Sequence, residues 1–395
     1  MLNRRNLITG AGAFAAASPL RALADTMRLP FANGERPLMR YPQKRPMIVQ
    51  TQRPPQLETP FSVFDEGPLT PNDAFFVRYH LSGVPLEIDP ESFRLDIKGK
   101  VKNPLQLSLD ELKRLPAMEI VAVNQCSGNG RGFFEPRVGG GQLGNGAMGN
   151  ARWRGVALKT VLDMAGVEAG AQQATFQSLD RPAVDATPAF VKALDIDHAR
   201  DGEVMLAYQM NGADLPLLNG FPLRLVVPGW YGTYWVKHLN EITLVEKPFD
   251  GYFMKAAYRI PDNDCACLET GGAETSTRPI SRLNVRSFIT NIADGASVKA
   301  GALQARGIAF DGGSGIKNVQ VSVDDGASWT DATLDSDLGK YAFRQWRLPL
   351  TLTPGPHVLK VRATGGDGAT QPASALWNPR GYMRNVVEAV HVAAS

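Results

Sequence analysis

Residues 124–131 read Asn124-Gln125-Cys126-Ser127-Gly128-Asn129-Gly130-Arg131, which places a cysteine in a turn of glycine and small polar residues. We refer to this segment as the cysteine loop. The largely apolar residues 119–123 predict a buried strand that ends just before it. The glycines allow a tight loop with close backbone approach. A thiolate is a soft metal ligand, but a buried and inert cysteine fits the same residues, so both interpretations stay open.

The chain around the cysteine loop, from about residue 61 to residue 260, alternates between strand-like and helix-like segments. A capping box of Ser108 and Glu111 predicts a short helix, and a second helix is predicted over residues 156–165. This pattern is typical of a mixed α+β domain. Residues 25–60, rich in Pro and Arg, predict an extended arm over the surface. The strands of the domain are predicted over residues 93–101, 119–123, 203–210, 221–227 and 234–245.

The residue pattern of the sequence changes at residues 262–279, where clustered Asp, Asn, Gly and Pro predict an irregular segment. Beyond them, short alternating segments are separated by turns such as Asp324-Asp325-Gly326. Short strands at this spacing predict an antiparallel β-sandwich. The alternating segments are residues 319–323, 341–350, 357–363 and 386–392.

The first residues of the chain, 1–24, predict an export signal. Arg4 and Arg5 supply a positive start, a weakly apolar stretch follows, and Ala22-Leu23-Ala24 fits a cleavage site before Asp25. The paired arginines resemble a twin-arginine signal, which carries folded proteins to the periplasm. An ordinary secretory signal that happens to contain two arginines is the alternative.

The charge balance of the chain changes once this signal is removed. The whole chain carries 42 basic and 39 acidic side chains, a formal charge of +3. Residues 1–24 hold three arginines and no acid, so the mature chain has 39 basic and 39 acidic residues. This balance argues against nucleic acid as a partner, because proteins that bind nucleic acid usually carry a basic excess. No apolar run reaches the ~20 residues that span a bilayer, which predicts no membrane span.

Five motifs in collinear order resemble the sulfite oxidase family of molybdenum-cofactor enzymes, over about residues 60–393. The resemblance implies a mixed α/β molybdopterin-binding domain over residues 61–265. It also implies an immunoglobulin-like β-sandwich, used for dimerisation, over residues 275–395. The motifs are residues 75–80; the cysteine loop with residues 149–156; Asn211-Gly212 with residues 220–224 and 236–237; residues 321–329; and residues 377–381.

The resemblance also implies which residues carry the chemistry. Cys126 corresponds to the cysteine that ligates molybdenum, and Tyr258 corresponds to the active-site tyrosine. Arg78, Arg131 and, more loosely, Arg380 correspond to arginines that line the pocket for an oxyanion. Read without the family, Tyr258 would be a surface-loop residue and each arginine part of a surface salt bridge. The implied catalytic residues are Cys126, Tyr258, Arg78, Arg131, His80 and Arg380.

The cofactor implied by the resemblance is molybdenum bound to molybdopterin. His80 corresponds to a histidine near the pterin, and Arg224 and Lys237 correspond to residues that hold its phosphate. An arginine fork and a lysine point charge both suit a phosphate group. Thr187 aligns loosely with a further polar contact. The implied cofactor-binding residues are Phe76, Arg78, His80, Cys126, Asn219, Arg224 and Lys237.

Three positions depart from the family pattern. Asn219 stands where vertebrate-like members carry a histidine before Gly-Phe-Pro, and Leu143 stands where a tryptophan is expected. Cys265-Ala266-Cys267 has no counterpart. A disulfide across a single residue would be strained and redox-labile, so two free surface thiols are the favoured interpretation and a disulfide is the alternative. The triple glycine of residues 139–141 lacks the ending of a phosphate-binding loop and predicts flexible chain.

The resemblance implies an enzyme that oxidises sulfite to sulfate, built as a homodimer. The sequence has no Cys-x-x-Cys-His for covalent haem, and we expect no haem in this chain. Electrons are therefore expected to leave to a separate c-type cytochrome, as in bacterial periplasmic sulfite dehydrogenases. Two alternatives belong to the same family: a sulfane dehydrogenase subunit and a methionine-sulfoxide reductase. A third is a non-enzymatic exported binding module that uses the sandwich alone.

Overall fold

The structure, a computed structural model, describes residues 26–28, 34–273 and 276–395. The predicted export signal and its cleavage site before Asp25 lie outside the described residues, so both stay predictions. In the described part of the chain, no helix is both long enough and apolar enough to cross a membrane.

A meander of five antiparallel strands covers the part of the chain predicted as an extended arm. Met47, Val49 and Leu57 pack against Val77 and Tyr79 in a small core of their own. The described part of residues 25–60 therefore contributes paired strands rather than an arm over the surface. The Pro and Arg residues interrupt the apolar alternation, which is why composition alone did not indicate a sheet. The strands are β1 (Thr26–Arg28), β2 (Glu35–Met39), β3 (Met47–Gln52), β4 (Pro55–Glu58) and β5 (Val77–Arg78).

Ten strands build the central α+β region. They are β6 (Arg94–Gly99), β7 (Leu105–Ser108), β8 (Ala117–Gln125), β9 (Met148–Ala157), β10 (Gln173–Ser178), β11 (Val191–Asp195), β12 (Met205–Met210), β13 (Ala213–Asp214), β14 (Arg224–Val226) and β15 (Leu239–Val245). One sheet has the strand order β11-β10-β15-β6-β7, in which β15 and β6 run parallel. The other has the order β13-β12-β9-β8, with β14 pairing to β12.

The helices are short. The first, α1 (Leu109–Arg114), begins with the predicted capping box. The Glu111 N–H donates to the Ser108 hydroxyl at 3.2 Å, and the Ser108 N–H donates to the Glu111 carboxylate at 2.8 Å. The second predicted helix begins only at Leu158, because β9 continues through Ala157. The other helices are α2 (Leu158–Ala165), α3 (Ile196–Ala199) and α4 (Tyr252–Lys255).

The C-terminal region is a β-sandwich, which confirms the predicted fold. A hairpin of β16 (Arg259–Pro261) and β17 (Thr277–Pro279) leads into it. The remaining strands are β18 (Arg286–Ile289), β19 (Ala296–Val298), β20 (Gly301–Phe310), β21 (Ile316–Ser322), β22 (Thr330–Asp331), β23 (Thr333–Leu334), β24 (Arg344–Leu352), β25 (Gly355–Gly365) and β26 (Glu388–Ala394). They form two sheets, with the orders β18-β20-β24-β23 and β19-β26-β25-β21-β22. Val319, Trp346 and Leu359 lie in the core between them.

The largest hydrophobic core crosses from the central region into the sandwich. Phe310 and Phe343 of the sandwich belong to the same buried cluster as Trp153 of β9. The backbone joins the two regions as well, because the Val123 N–H of β8 donates to the Tyr341 carbonyl at 2.9 Å. The strand that leads into the cysteine loop is therefore braced by the sandwich.

Cys265 and Cys267 form a disulfide, so the prediction of two free thiols is wrong. The intervening Ala266 adopts a left-handed backbone with φ of 50°, which turns the chain tightly enough for the two sulfurs to meet. The side-chain oxygen of Asn263 accepts from the Cys267 N–H at 3.2 Å and holds this turn. Cys126 is the free cysteine, and it is buried.

Candidate active site

Cys126 sits where β8 ends, as the sequence predicts, and its loop is fixed by backbone hydrogen bonds. The Cys126 N–H donates to the Ala147 carbonyl at 2.9 Å, and the Gly130 N–H donates to the Gly144 carbonyl at 2.7 Å. Only 9 % of Cys126 is exposed. Cys126 lies in the walls of two neighbouring cavities, which we call the inner cleft and the outer cavity.

An arginine from the sandwich holds the cysteine loop from behind. Arg286 of β18 is fully buried and pairs with Glu388 at 3.2 Å. It donates to the Gln125 side chain at 3.3 Å and to the Asn129 carbonyl at 3.5 Å, on both sides of Cys126. Sequence reasoning missed this residue, because a single charge in a short strand carries no signal of its own.

The inner cleft has a buried cationic end. Arg224 is only 2 % exposed and donates to the Asn219 carbonyl at 2.8 Å. Lys237 donates to the Arg78 carbonyl and lies 3.9 Å from the centre of the Tyr79 ring. Among the described residues, no carboxylate forms an ion pair with Arg224 or Lys237. Burial lowers the pKa of Arg224 to about 9 and also lowers the pKa of Lys237. Asp180 lines the same cleft and opposes the charge of Lys237, but it forms no ion pair with Arg224. Two buried cations therefore face one acid, so this end is suited to a further anionic group.

Several polar atoms in the inner cleft have no hydrogen-bond partner in the described structure. Four buried atoms of this kind belong to residues that line the cleft: Asn124 Oδ1, Ser127 Oγ, Arg224 Nε and Thr233 Oγ1. Native proteins satisfy nearly all of their buried polar groups. A polar ligand with an anionic end therefore fits the cleft, and a pterin with a phosphate has this chemistry.

The outer cavity lies on the other side of Cys126 and has a volume of about 350 Å³. Arg78, Arg131 and Arg380 line it together with Tyr258, so the structure brings the three predicted pocket arginines together. Arg78, Cys126 and Tyr258 also line the inner cleft. The two cavities thus meet at the predicted metal ligand.

The pocket arginines are held by backbone carbonyls. Arg131 donates from Nε to the Arg380 carbonyl at 3.1 Å, and Arg380 donates to the Ala256 carbonyl at 2.5 Å. Arg78 donates to the carbonyl of Tyr79. Within the described residues, Arg78 and Arg131 form no ion pair with a carboxylate. Their charges are therefore not cancelled by an acid, as they would be in a surface salt bridge.

The cysteine loop leaves room for the Arg131 guanidinium only because a glycine lies beneath it. A Cβ atom at Gly128 would lie 2.8 Å from Arg131 Cζ. Gly140 and Gly141 pass on the other side, and the Gly141 carbonyl accepts from Arg131 at 3.4 Å. The triple glycine, predicted as flexible chain, thus forms part of the outer cavity wall.

Tyr258 and His80 form a hydrogen-bonded pair beside Cys126. The His80 ring stacks on Phe190 with 3.8 Å between ring centres. Burial, followed by the charges of Arg78, Lys237 and Lys192, holds the pKa of His80 well below its ordinary value. Burial raises the pKa of Tyr258. Near neutral pH the pair therefore consists of a neutral imidazole and a neutral phenol. Tyr258 has φ of 56°, a strained backbone for a residue with a side chain.

Of the remaining residues singled out from the sequence, two line the inner cleft and two lie outside both cavities. Phe76 lies in the wall of the inner cleft, and so does Asn219. The side chain of Asn219 is occupied by protein, since it accepts from Lys44 Nζ at 2.5 Å and donates to the Phe76 carbonyl at 3.0 Å. Thr187 is exposed and lies in neither cavity wall. Leu143 is buried in the main core and also lies outside both walls.

Sequence reasoning did not find Lys44, Lys192 or Tyr382. Lys44 and Lys192 come from segments without a motif, and each is a buried amine whose pKa burial lowers to about 7. Tyr382 follows the Trp-Asn-Pro-Arg-Gly motif directly, and that proximity is the one signal that could have indicated it.

Comparison with known proteins gives the same assignment for both regions. Residues 80–253 match the family described as oxidoreductase molybdopterin binding domain. Residues 277–395 match the Mo-co oxidoreductase dimerisation domain. The curated relatives include the mitochondrial sulfite oxidase of Homo sapiens, 34% identical over 90% of this chain and 67% of the relative. They also include the sulfite oxidase of Gallus gallus, 33% identical over 90% of this chain and 78% of the relative.

The plant and bacterial similarities extend along nearly the whole chain. The sulfite oxidase of Arabidopsis thaliana is 29% identical over 90% of this chain and 96% of its own length. Among solved structures, the sulfane dehydrogenase SoxCD from Paracoccus pantotrophus superimposes with a TM-score of 0.75 at 24% identity. That match covers 98% of this chain and 93% of the other, and it shows the same fold. The chain spans about two thirds of the length of the mammalian relatives.

Proposed function

We propose that this chain, which belongs to the sulfite oxidase family of molybdenum-cofactor oxidoreductases, oxidises sulfite to sulfate in the periplasm. We further propose that it passes the electrons one at a time to a c-type cytochrome. The observation that carries the proposal is the outer cavity. Arginines 78, 131 and 380 meet there beside Cys126, in a space of about 350 Å³. A compact oxyanion matches the charge of this space.

The cofactor of this family fits the residues of the inner cleft. Cys126 supplies the thiolate, and Arg224 with Lys237 supplies charge for the phosphate. The unpartnered Ser127 and Thr233 hydroxyls provide further hydrogen bonds. When bound, the molybdenum cofactor supplies two-electron oxygen-atom transfer, while the protein supplies ligation, orientation and electrostatics.

The residues of the outer cavity bind and orient the anion. Backbone carbonyls rather than carboxylates hold Arg78 and Arg131, so within the described residues no paired acid opposes their charges. Tyr258 holds its proton at the phenol oxygen, next to the neutral ring of His80. In the tautomer that carries the proton on Nε2, His80 donates to the phenol oxygen, and the Tyr258 proton can then be donated to a substrate oxygen without adding negative charge to the site.

The proposed periplasmic location and the proposed cytochrome acceptor are supported by sequence resemblance rather than by the geometry of the two cavities. The location is supported by the resemblance of residues 1–24 to a twin-arginine signal. The acceptor is supported by the resemblance to periplasmic sulfite dehydrogenases. A homodimer is supported by the match of residues 277–395 to a dimerisation domain.

One set of assays tests the proposed function. Purified protein should contain one molybdenum per chain and reduce a c-type cytochrome when sulfite is added. Methionine sulfoxide and a protein-bound sulfane should be poor substrates, since the arginines favour a small free anion. Faster turnover of either compound than of sulfite would move the assignment to that alternative. Natively made protein without molybdenum would support a binding module instead.

A further inference from the structure

Tyr382 lies between two functional groups of the outer cavity. It belongs to the segment that joins β25 to β26, and its ring lines the cavity. The ring stacks on Tyr258, with 5.4 Å between ring centres and 21° between planes. Arg131 also packs on the ring, and its Cζ lies 4.9 Å from the ring centre. One aromatic side chain thus contacts the active-site tyrosine and a pocket arginine.

The backbone around Tyr382 is shaped to place this ring. The buried Asn378 accepts through its side-chain oxygen from the Tyr382 N–H at 3.1 Å and donates to the Tyr382 carbonyl at 2.9 Å. Gly381 has φ of 60°, and a Cβ atom there would lie 2.5 Å from Val138 and 2.8 Å from Arg131. A side chain at residue 381 would therefore push the segment away from the arginine.

The same segment is tied directly to the cysteine loop. The Met383 N–H donates to the Ser127 carbonyl at 2.9 Å, next to Cys126. Arg131, at the end of the loop, donates to the Arg380 carbonyl at 3.1 Å. Two hydrogen bonds therefore fix the position of the Tyr382 ring relative to both the cysteine and the arginine.

An aromatic ring affects an arginine differently from a carboxylate. Both restrict the guanidinium, but a carboxylate cancels its charge, whereas the face of a ring attracts the cation and leaves the charge in place. Arg131 held in this way stays available to an anion. The ring also forms part of the cavity wall beside Tyr258, so its removal would enlarge the cavity there.

We infer that Tyr382 determines the specificity of the outer cavity: its ring orients Arg131 and limits the cavity to compact oxyanions. This inference rests on the proposed function for the identity of the compact anion, sulfite. The aromatic ring of Tyr382 is responsible for both the orientation of Arg131 and the limit on size. The hydroxyl is not required, because the contacts with Tyr258 and Arg131 are both made with the ring face.

The test compares Tyr382→Ala with Tyr382→Phe in holoenzymes matched for molybdenum content. We expect Tyr382→Ala to raise the KM for sulfite and the directly measured Kd for sulfate by about tenfold, with a smaller change in kcat. Benzenesulfinate, a bulkier sulfur oxyanion, should inhibit Tyr382→Ala at least about fivefold more tightly than the parent enzyme. Tyr382→Phe keeps the ring and should stay within about twofold of the parent in every measurement.

A matched control removes the same kind of contact elsewhere. Trp329 packs on Arg362 in the sandwich at 4.1 Å, and neither residue lines the two cavities. Trp329→Ala should leave KM, the sulfate Kd and benzenesulfinate inhibition unchanged.

Three outcomes would overturn the inference. One is a lower melting temperature of Tyr382→Ala with unchanged sulfate affinity and unchanged inhibition. Another is an equal loss in Tyr382→Phe, which would assign the effect to the hydroxyl. The third is unchanged inhibition by benzenesulfinate in Tyr382→Ala. Failure of the parent enzyme to oxidise sulfite would count against the proposed function alone, since the sulfate-binding measurement needs no turnover.

Discussion

The guanidinium of Arg131 is surrounded by neutral groups. It donates to the carbonyls of Arg380 and Gly141 and lies over the ring of Tyr382. Each contact restricts its orientation, and none of them opposes its charge. An anion in the outer cavity would be the group that meets this charge, which is why we assign Arg131 to substrate binding.

Arg131→Gln keeps some hydrogen bonding and removes the charge. We expect kcat/KM for sulfite to fall at least about tenfold, because a hydrogen bond to a charged group contributes about 1.5–3 kcal/mol. Arg78→Gln should behave in the same way, and Arg380→Gln more weakly. Steady-state kinetics at matched molybdenum content measure the effect. If Arg131→Gln lowered thermal stability and left sulfite kinetics unchanged, Arg131 would be a structural residue.

Cys126→Ser tests the metal ligand. We expect turnover to fall at least ~100-fold, because even residues behind a metal ligand contribute 10–100-fold and serine replaces the soft thiolate itself. The fold should survive, since Cys126 is a small part of a large core. Circular dichroism and metal analysis provide the controls. Substantial turnover by a folded, molybdenum-loaded Cys126→Ser protein would contradict the assignment.

At the scale of elements, β18 of the sandwich supports a loop of the central region. Arg286 reaches from this strand to both flanks of Cys126 and is paired with Glu388. Because Arg286 is fully buried, its loss would leave the Asn129 carbonyl without its donor, and Gln125 would keep only the longer contact from the Asn129 amide at 3.4 Å. The active-site loop therefore depends on a strand distant from it in sequence.

Arg286→Met should lower the free energy of unfolding by about 3 kcal/mol, the order expected when one partner of a buried ion pair is removed. It should also reduce the molybdenum bound per chain, because the cysteine loop loses its support. Arg306→Met is the matched control. Arg306 lies on the neighbouring β20 and forms an exposed pair with Asp65 at 2.6 Å, a contact that contributes at most about 1 kcal/mol. Denaturant titration of the two variants measures the loss of unfolding free energy in each. An equal loss in Arg286→Met and Arg306→Met would contradict the supporting role of Arg286.

Predictions from sequence succeeded where a local pattern controls the structure. Alternating Val319 and Val321 indicated β21, and Ser108 with Glu111 indicated the start of α1. The residues in the cavities lie far apart in sequence, and family motifs rather than local patterns indicated them. Lys44 and Arg286 escaped prediction because their partners are distant along the chain.

The turn at Cys265–Cys267 was missed for a different reason. Its geometry depends on the left-handed conformation of Ala266, which residue type does not favour. Likewise β4 pairs with β5, whose residues follow it at a distance, and β3, β2 and β1 are added to β4 in turn. Amino-acid composition indicates only the local conformational preference of a segment. The turn at Ala266 and the strands β1 to β4 depend instead on the residues that pack around them.

For the whole molecule, the buried lysines make stability depend on pH. Lys192 of β11 is fully buried and donates to the Phe253 carbonyl at 2.7 Å. Burial lowers its pKa from 10.5 to about 7. The unfolded chain therefore holds this proton up to about pH 10.5, whereas the folded chain releases it near pH 7. Between these values the unfolded state binds more protons, so stability rises with pH.

Lys192→Met should remove this contribution. Between pH 7.5 and 9.5, the parent should gain about 2.5 kcal/mol of unfolding free energy relative to the variant, since one proton contributes about 1.4 kcal/mol per pH unit and the titration is incomplete at both ends of this range. Denaturant titrations at the two pH values measure the difference. Lys317→Met, at an exposed position, serves as the control. A parallel pH dependence in parent and Lys192→Met would show that the amine stays protonated in the folded protein.

Export is also a property of the whole chain. Replacing Arg4 and Arg5 by lysine should block export and leave precursor in the cytoplasm, because a general secretory signal needs only positive charge. Fractionation with immunoblotting measures the distribution, and mass spectrometry of the periplasmic protein should give Asp25 as its first residue. Normal periplasmic yield of the double variant would favour the ordinary secretory route.

The division of the site into two cavities sets an order for its assembly during translation. Every residue of the inner cleft lies between Phe75 and Tyr258, whereas the outer cavity also needs Arg380 and Tyr382. A ribosome therefore synthesises every residue that lines the inner cleft before it reaches the far wall of the outer cavity. The cleft cannot be rigid at that stage, because the cysteine loop still lacks Arg286 and β8 still lacks the carbonyl of Tyr341. The site therefore takes its final shape only after the sandwich has been made and has packed against the central region.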